Sequence, residues 1–220
     1  MHRLTGPVTE PFDCGVDELN DFLTRAWDQQ QSGFSVTYLL HVKGILAGFI
    51  SVAMSKIPLD SSERPTDSYT RELPALNLVQ MAVSKEFHRM GYGKFLVSAA
   101  IFLAQSSTAV GCRYVQLDAR YAEGSANPYE IRDFYADRGF VENKYLQNQR
   151  EKDAKNARPP RDPKKINISM RFDLRPPDGA PVLPPLDQSF LESRNAFGVR
   201  KLQRGLRHLI DRAMAKLMRG

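Results

Sequence analysis

At 220 residues, with 42% apolar and 25% charged side chains, the chain can bury the core of one globular domain plus an appendage, and a second large domain does not fit. Its longest apolar stretches, such as Ile45–Ala53 and Phe95–Ala104, fall short of the roughly 20 residues that span a bilayer, which argues against an integral membrane protein. The net charge of +6 is uneven: residues 1–149 hold 14 Lys and Arg against 17 Asp and Glu (−3), and residues 150–220 hold 17 against 8 (+9).

The opening Met1–Pro7 lacks the apolar stretch and small-residue cleavage site of a secretory signal, so a cytoplasmic address is expected. The two cysteines, Cys14 and Cys112, stand in neither C-x-x-C nor C…H spacing, and neither a disulfide framework nor a metal site is expected.

Val16–Gln31 carries Leu19, Phe22, Leu23, Ala26 and Trp27 at helical spacing, with Asp17 and Glu18 where the helix dipole favours acids, and reads as an amphipathic helix. Val36–Val42 and Ile45–Ser55 are rich in β-formers around Lys43-Gly44, which predicts a β-hairpin. A polar stretch from Pro58 to Pro74 reads as a loop bordering a substrate cleft.

Leu76–Val83 follows as a short strand, then a turn, then a helix over Gly91–Val110. Tyr114–Asp118 reads as a strand, and Pro128–Arg138 as a helix closed by Gly139. Phe140–Tyr145 and Ile166–Leu174 are predicted strands, separated by a polar, basic insert over Gln149–Lys165. The organisation expected is a catalytic domain over 1–175, a proline-rich linker over 176–188 and a basic amphipathic helix over 189–220.

The chemistry concentrates in Leu78–Leu96. A helix N-terminus presents unpaired N–H groups and partial positive charge, so phosphate oxygens sit there well if the backbone comes close. Gly91 and Gly93 permit that approach, and Arg89 and Lys94 add formal charge. The third glycine of a G-x-G-x-x-G fingerprint is missing and no P-loop occurs, so a pyrophosphate ligand other than a dinucleotide or nucleoside triphosphate is needed.

Strand Leu78–Val83, the R/Q-x-x-G-x-G/A type loop ending at Gly91-Tyr92-Gly93, and the later Phe134-Tyr135-x-x-x-Gly139-Phe140 resemble the acetyl-CoA signature of the GNAT N-acetyltransferase family, over most of residues 12–174. The resemblance implies an α/β (α+β) fold, with a mixed central sheet of six to seven strands flanked by helices, and acetyl-CoA as co-substrate. It implies that backbone groups at Met81, Ala82 and Val83 pair with pantetheine and hold the thioester carbonyl. It assigns His88, Arg89, Met90, Gly91, Tyr92, Gly93 and Lys94 to the pyrophosphate, with His88 standing where the family usually has Gln or Arg. Tyr135 aligns with the tyrosine that protonates the leaving thiolate. Asn127 either contacts the cofactor or caps the helix carrying Tyr135.

No general base is assigned: Glu72, Glu86 and Asp118 are candidates that also fit solvated strand ends, and His41 and His88 have no carboxylate partner in sequence. Phe12-Asp13-Cys14-Gly15…Leu19-Asn20-x-Phe22-Leu23 resembles the first helix of a bacterial subgroup that includes aminoacyl-tRNA-acetylating toxins. Three functions follow. The first is acetyl transfer to a primary amine in a ternary complex. The second is a toxin acting on the amino group of aminoacyl-tRNA, with an antitoxin as partner. The third is a catalytically silent CoA-binding module. The basic tail packs on the domain or on a second copy in a homodimer, binds nucleic acid, or lies on an anionic membrane surface.

Overall fold

The computed structural model describes residues 1–64, 70–106, 111–123, 126–159, 162 and 165–175. The linker expected at 176–188 and the helix expected at 189–220 lie outside the described residues, as do residues 107–110 of the helix expected over Gly91–Val110 and residues 160, 161, 163 and 164 of the insert expected over Gln149–Lys165. Among the described residues the elements run β1 (His2–Arg3), α1 (Asp17–Gln31), β2 (Val36–Val42), β3 (Ile45–Pro58), β4 (Glu72–Val83), a 3₁₀ turn (Lys85–Phe87), α2 (Tyr92–Ser106), β5 (Tyr114–Ala119), α3 (Glu130–Ala136), β6 (Val141–Glu142), α4 (Lys144–Asn156) and β7 (Ile168–Asp173). The strands are ordered β1-β2-β3-β4-β5-β7-β6 in a mixed sheet, with β4 and β5 parallel and β5 antiparallel to β7. No helix among the described residues is long and apolar enough to cross a membrane.

Contacts divide the chain into two compact units that interleave in sequence. The first holds Met1–Ala53 and Val79–Ser106 of the described residues, and the second holds Met54–Leu78 and the described chain from 111 to 175. β3 and β4 therefore each begin in one unit and end in the other.

In the first unit, α1 lays its apolar stripe where the periodicity predicts: Leu23 and Ala26 are buried with Leu39, Leu46, Phe49 and Ala82, and Leu19, Phe22 and Trp27 pack against that cluster. Asp17 and Glu18 fill its first turn. The hairpin forms at Lys43-Gly44, whose φ of 52° and 83° are both positive, as a type I′ turn between right-twisted strands requires.

In the second unit, Ile57, Leu59, Ala75 and Tyr114 form one buried cluster, with Leu73 and Leu146 against it. β5 and β7 pair along their whole length, from Tyr114 opposite Asp173 to Ala119 opposite Ile168. Arg113 braces the end of β7 through two hydrogen bonds to the Asp173 carboxylate, at 2.8 and 2.9 Å.

Three expectations are corrected here. The strand expected over Phe140–Tyr145 is only the two-residue β6, and α4 starts at once behind it. The insert expected over Gln149–Lys165 is helical as far as Asn156. The cause is local: the Asn143 side chain accepts from Leu146 N–H at 3.1 Å as an N-cap, and Asn143, Gln147 and Ala154 make the buried stripe. Finally, the polar loop is shorter than expected, because β3 runs on to Pro58 and β4 begins at Glu72.

One ion pair in this unit is buried. Arg171 of β7 meets Glu63 at 3.0 Å, with the side chains 11% and 8% exposed, and also donates to the Glu142 carbonyl. Glu63→Ala strands a buried guanidinium, so a loss of about 3–5 kcal/mol in unfolding free energy is expected from urea titration. A loss below about 1 kcal/mol is the signature of a solvated surface pair instead.

Candidate active site

The first unit carries the end of β4 and the loop into α2. Ala82 turns into the core, while Met81 and Val83 are half-buried on the alternate positions. Ser84 N–H donates to the Ala47 carbonyl at 2.9 Å, and Phe87 N–H closes the 3₁₀ turn onto Ser84 at 2.9 Å. β3 approaches β4 closely here because residue 48 is glycine: a Cβ built there lies 2.6 Å from the Ala82 carbonyl oxygen and 3.4 Å from Val83 Cα.

The loop then turns through the left-handed region twice, at Arg89 (φ 58°) and Gly91 (φ 85°), before α2 begins at Tyr92. The His88 ring reaches back to the strand it follows, with Nε2 donating to the Val83 carbonyl at 2.8 Å, so its ring braces the loop. Phe87 and Tyr92 pack edge to face with centroids 5.7 Å apart, which pins the two ends of the loop together.

Met90, Arg89 and Lys94 are exposed, Gly91, Tyr92 and Gly93 are half-buried, and the first turn of α2 contains no acidic residue. A helix N-terminus, the exposed cations of Arg89 and Lys94, and a first turn without an acidic residue fit the pyrophosphate of a coenzyme A thioester.

The second unit carries Tyr135, on the short helix α3. The residue is 7% exposed, with its ring against Phe134 (5.1 Å between centroids) and Phe140 (5.6 Å), and Phe140 in turn packs on Phe172 (5.4 Å). The chain turns after α3 through Gly139, and Phe140 N–H donates to the Tyr135 carbonyl at 3.2 Å. The Phe-Tyr-x-x-x-Gly-Phe spacing thus folds two aromatic residues of one motif against each other. Burial pushes the Tyr135 phenol well above its ordinary range, opposed by the nearby Arg138 guanidinium. That guanidinium lies over the Phe134 ring, 3.8 Å from its centroid.

Asn127 spends its side chain on the start of α3. Its Oδ1 accepts from Tyr129 N–H at 3.1 Å and its Nδ2 donates to Asp133 at 3.2 Å, a turn that leads into α3, whose N-cap is Tyr129 and not Asn127. The candidate bases are likewise engaged or solvated. Asp118 takes two 2.7 Å bonds from Arg150, Glu72 pairs with Lys56 at 2.6 Å, and Glu86 is exposed. His41, with no carboxylate partner near it in sequence, finds one in the fold: Nε2 lies 2.7 Å from Glu10, and its ring stacks on His2 at 5.0 Å.

Sequence reasoning passed over Gly48 and the tie between Asp13 and Lys85 described below. An isolated glycine inside an apolar strand pattern was a legible signal for the first, whereas 72 residues separate the partners of the second.

A family model described as "Acetyltransferase (GNAT) family" matches residues 8–140. Among solved structures, AtaT complexed with acetyl-methionyl-tRNAfMet is 22% identical with a TM-score of 0.53, over 64% of this chain and 85% of that one. A tyrosine-to-phenylalanine variant of the AtaT toxin, bound to the C-terminus of the antitoxin AtaR and acetyl-CoA, is 21% identical with a TM-score of 0.50, over 64% and 83%. A structure described as a bacterial toxin is 18% identical with a TM-score of 0.56, over 78% and 89%. At these identities the likeness to solved structures is one of fold.

Proposed function

The chain belongs to the acetyltransferase (GNAT) family, and from that premise we propose that it transfers the acetyl group of acetyl-CoA to a primary amine, the amine of an aminoacyl-tRNA. The observation that carries the transfer reaction is the loop from His88 to Gly91, with its two left-handed residues, opening into a helix whose first turn holds no acid.

In this reading Arg89, Lys94 and the first N–H groups of α2 neutralise the pyrophosphate. Backbone groups of Met81–Val83 orient the pantetheine and thioester, and the β4–β5 ladder, which runs from Ala75 to Asn77 opposite Tyr114 to Gln116, supports leaving this later stretch of β4 to the ligand. The amine nitrogen forms a bond to the thioester carbonyl carbon and the carbon–sulfur bond breaks. Tyr135 gives its proton to the departing thiolate, and the amine loses a proton to water. The phenol reaches that step protonated, as a tyrosine is near neutral pH, and burial makes it a weaker acid than an exposed one.

The choice of acceptor is supported by the neighbour bound to acetyl-methionyl-tRNAfMet, by the Phe12–Gly15 segment, and by the +9 charge of residues 150–220, which suits contacts to RNA phosphates. An antitoxin partner follows by the same reasoning from the AtaR complex, and such an acceptor implies a cytoplasmic protein.

The test is calorimetric titration with acetyl-CoA, followed by thiol release with small amines, with charged tRNA and with deacylated tRNA. Micromolar binding and release that requires charged tRNA is expected. Release with small amines but not with charged tRNA overturns the acceptor and keeps the reaction. No acetyl-CoA binding overturns both.

A further inference from the structure

The segment ahead of α1 is fastened to the first residue of the 3₁₀ turn at three points. Lys85 N–H donates to the Asp13 carbonyl at 2.9 Å, and Lys85 Nζ donates to Asp13 Oδ2 at 2.8 Å. The Lys85 stem lies against Gly15, where φ is +83° and a built Cβ comes within 2.7 Å of Lys85 Cε.

Asp13 is itself held in place. Its Oδ1 accepts from Gly15 N–H at 2.8 Å and from Asn20 Nδ2 at 3.3 Å, while Asn20 Oδ1 accepts from Cys14 N–H at 3.0 Å. The Asp-Cys-Gly…Asn spacing therefore builds a small bracket on the N-terminus of α1, and the bracket grips Lys85.

Both charged side chains of the ion pair are 58% exposed, so the pair contributes little to stability. What it does fix is position. Lys85 opens the turn that delivers His88, Arg89 and Gly91 to the start of α2.

We infer that Asp13 and Lys85 are positioning residues for the cofactor loop, presetting its left-handed turns so that acetyl-CoA meets a ready cradle. A loop already in its bound conformation loses less freedom on binding, and that difference appears in affinity. The inference rests on the reading above that this loop holds the coenzyme.

A competing role for Lys85, direct contact with a phosphate, is separated by the sign of one substitution. Asp13→Asn removes a negative charge near a polyanionic ligand and frees Lys85, so direct contact predicts tighter acetyl-CoA binding. Positioning predicts weaker binding.

The experiment is calorimetric titration of the full chain with acetyl-CoA, alongside steady-state rates and melting curves, for Asp13→Asn, Lys85→Met and Lys85→Arg. The expected result is a Kd raised about two- to fivefold in Asp13→Asn and Lys85→Met, equivalent to about 0.4–1 kcal/mol. The kinetic loss falls on KM for acetyl-CoA more than on kcat, the melting temperature stays within about 3 °C, and Lys85→Arg recovers most of the affinity. Unchanged or tighter binding in Asp13→Asn, in a wild-type protein that does bind acetyl-CoA, overturns the inference and leaves the proposed reaction standing. Failure of the wild-type protein to bind overturns the reaction, and the inference with it.

Discussion

Gly48→Ala is expected to raise the Kd for acetyl-CoA at least about tenfold and to cost about 1–3 kcal/mol of stability. The added methyl group would sit 2.6 Å from the Ala82 carbonyl oxygen, 3.4 Å from Val83 Cα and 3.2 Å from Leu96 Cδ1. A rotamer change can move the leucine, but two of the three contacts are backbone, so β4 itself must shift. The shift falls on Ala82 and Val83, two of the residues proposed to meet pantetheine, and Leu96 belongs to the helix whose N-terminus is proposed to meet the pyrophosphate. Urea titration and calorimetry on the same preparation separate the two effects. A folded Gly48→Ala protein with wild-type affinity would show that this stretch of β4 does not hold the ligand.

Tyr135→Phe is expected to lower kcat by about 10²–10⁴ while leaving acetyl-CoA affinity within about twofold. The replacement keeps the ring that packs on Phe134 and Phe140 and removes only the oxygen, so a folding defect does not confuse the result. The pH dependence has a definite sign. Burial raises the phenol above its ordinary value of 10, so kcat should show no descending limb from this group near that pH. Because the folded pKa lies above the unfolded one, the stability that the neutral phenol contributes is whole below about pH 10 and is lost as pH rises beyond it. The wild-type protein should therefore lose stability relative to Tyr135→Phe in that alkaline range, as measured by urea titration at stepped pH. Equal kcat in the two proteins removes Tyr135 from the proton transfer.

Much of this was legible in the sequence, and what was missed has physical causes. α1 and the hairpin at Lys43-Gly44 declared themselves because their apolar residues keep strict helical or strand periods and their ends carry the residues those ends need. The turn into α2 was legible because glycine and charge stand together there over a few consecutive positions. α4 was not, because its buried stripe is Asn143, Gln147 and Ala154 rather than a run of aliphatic residues, so its pattern resembles that of a solvated insert. β1 is two residues long, too short for any period. Contacts such as Glu10 with His41 and Asp13 with Lys85 join residues 31 and 72 positions apart, and no local pattern encodes them. Asn127 was readable only as an alternative, and its bonds to Tyr129 and Asp133 build a turn two residues ahead of the N-cap of α3.

The interleaving of the two units bears on how the chain is made. Leu46 and Phe49 leave the ribosome well before Ala82 and Leu96, because the whole stretch Met54–Leu78, which belongs to the other unit, comes between them. During synthesis at about 5–20 residues per second, the hydrophobic cluster under α1 therefore stands incomplete for seconds, with its apolar floor open to water. Neither unit is a contiguous stretch of chain, so neither can close until residues far downstream have emerged. The strand that ends at the loop into α2 is among the late arrivals that close the first, which ties formation of the proposed binding site to completion of the core beneath it.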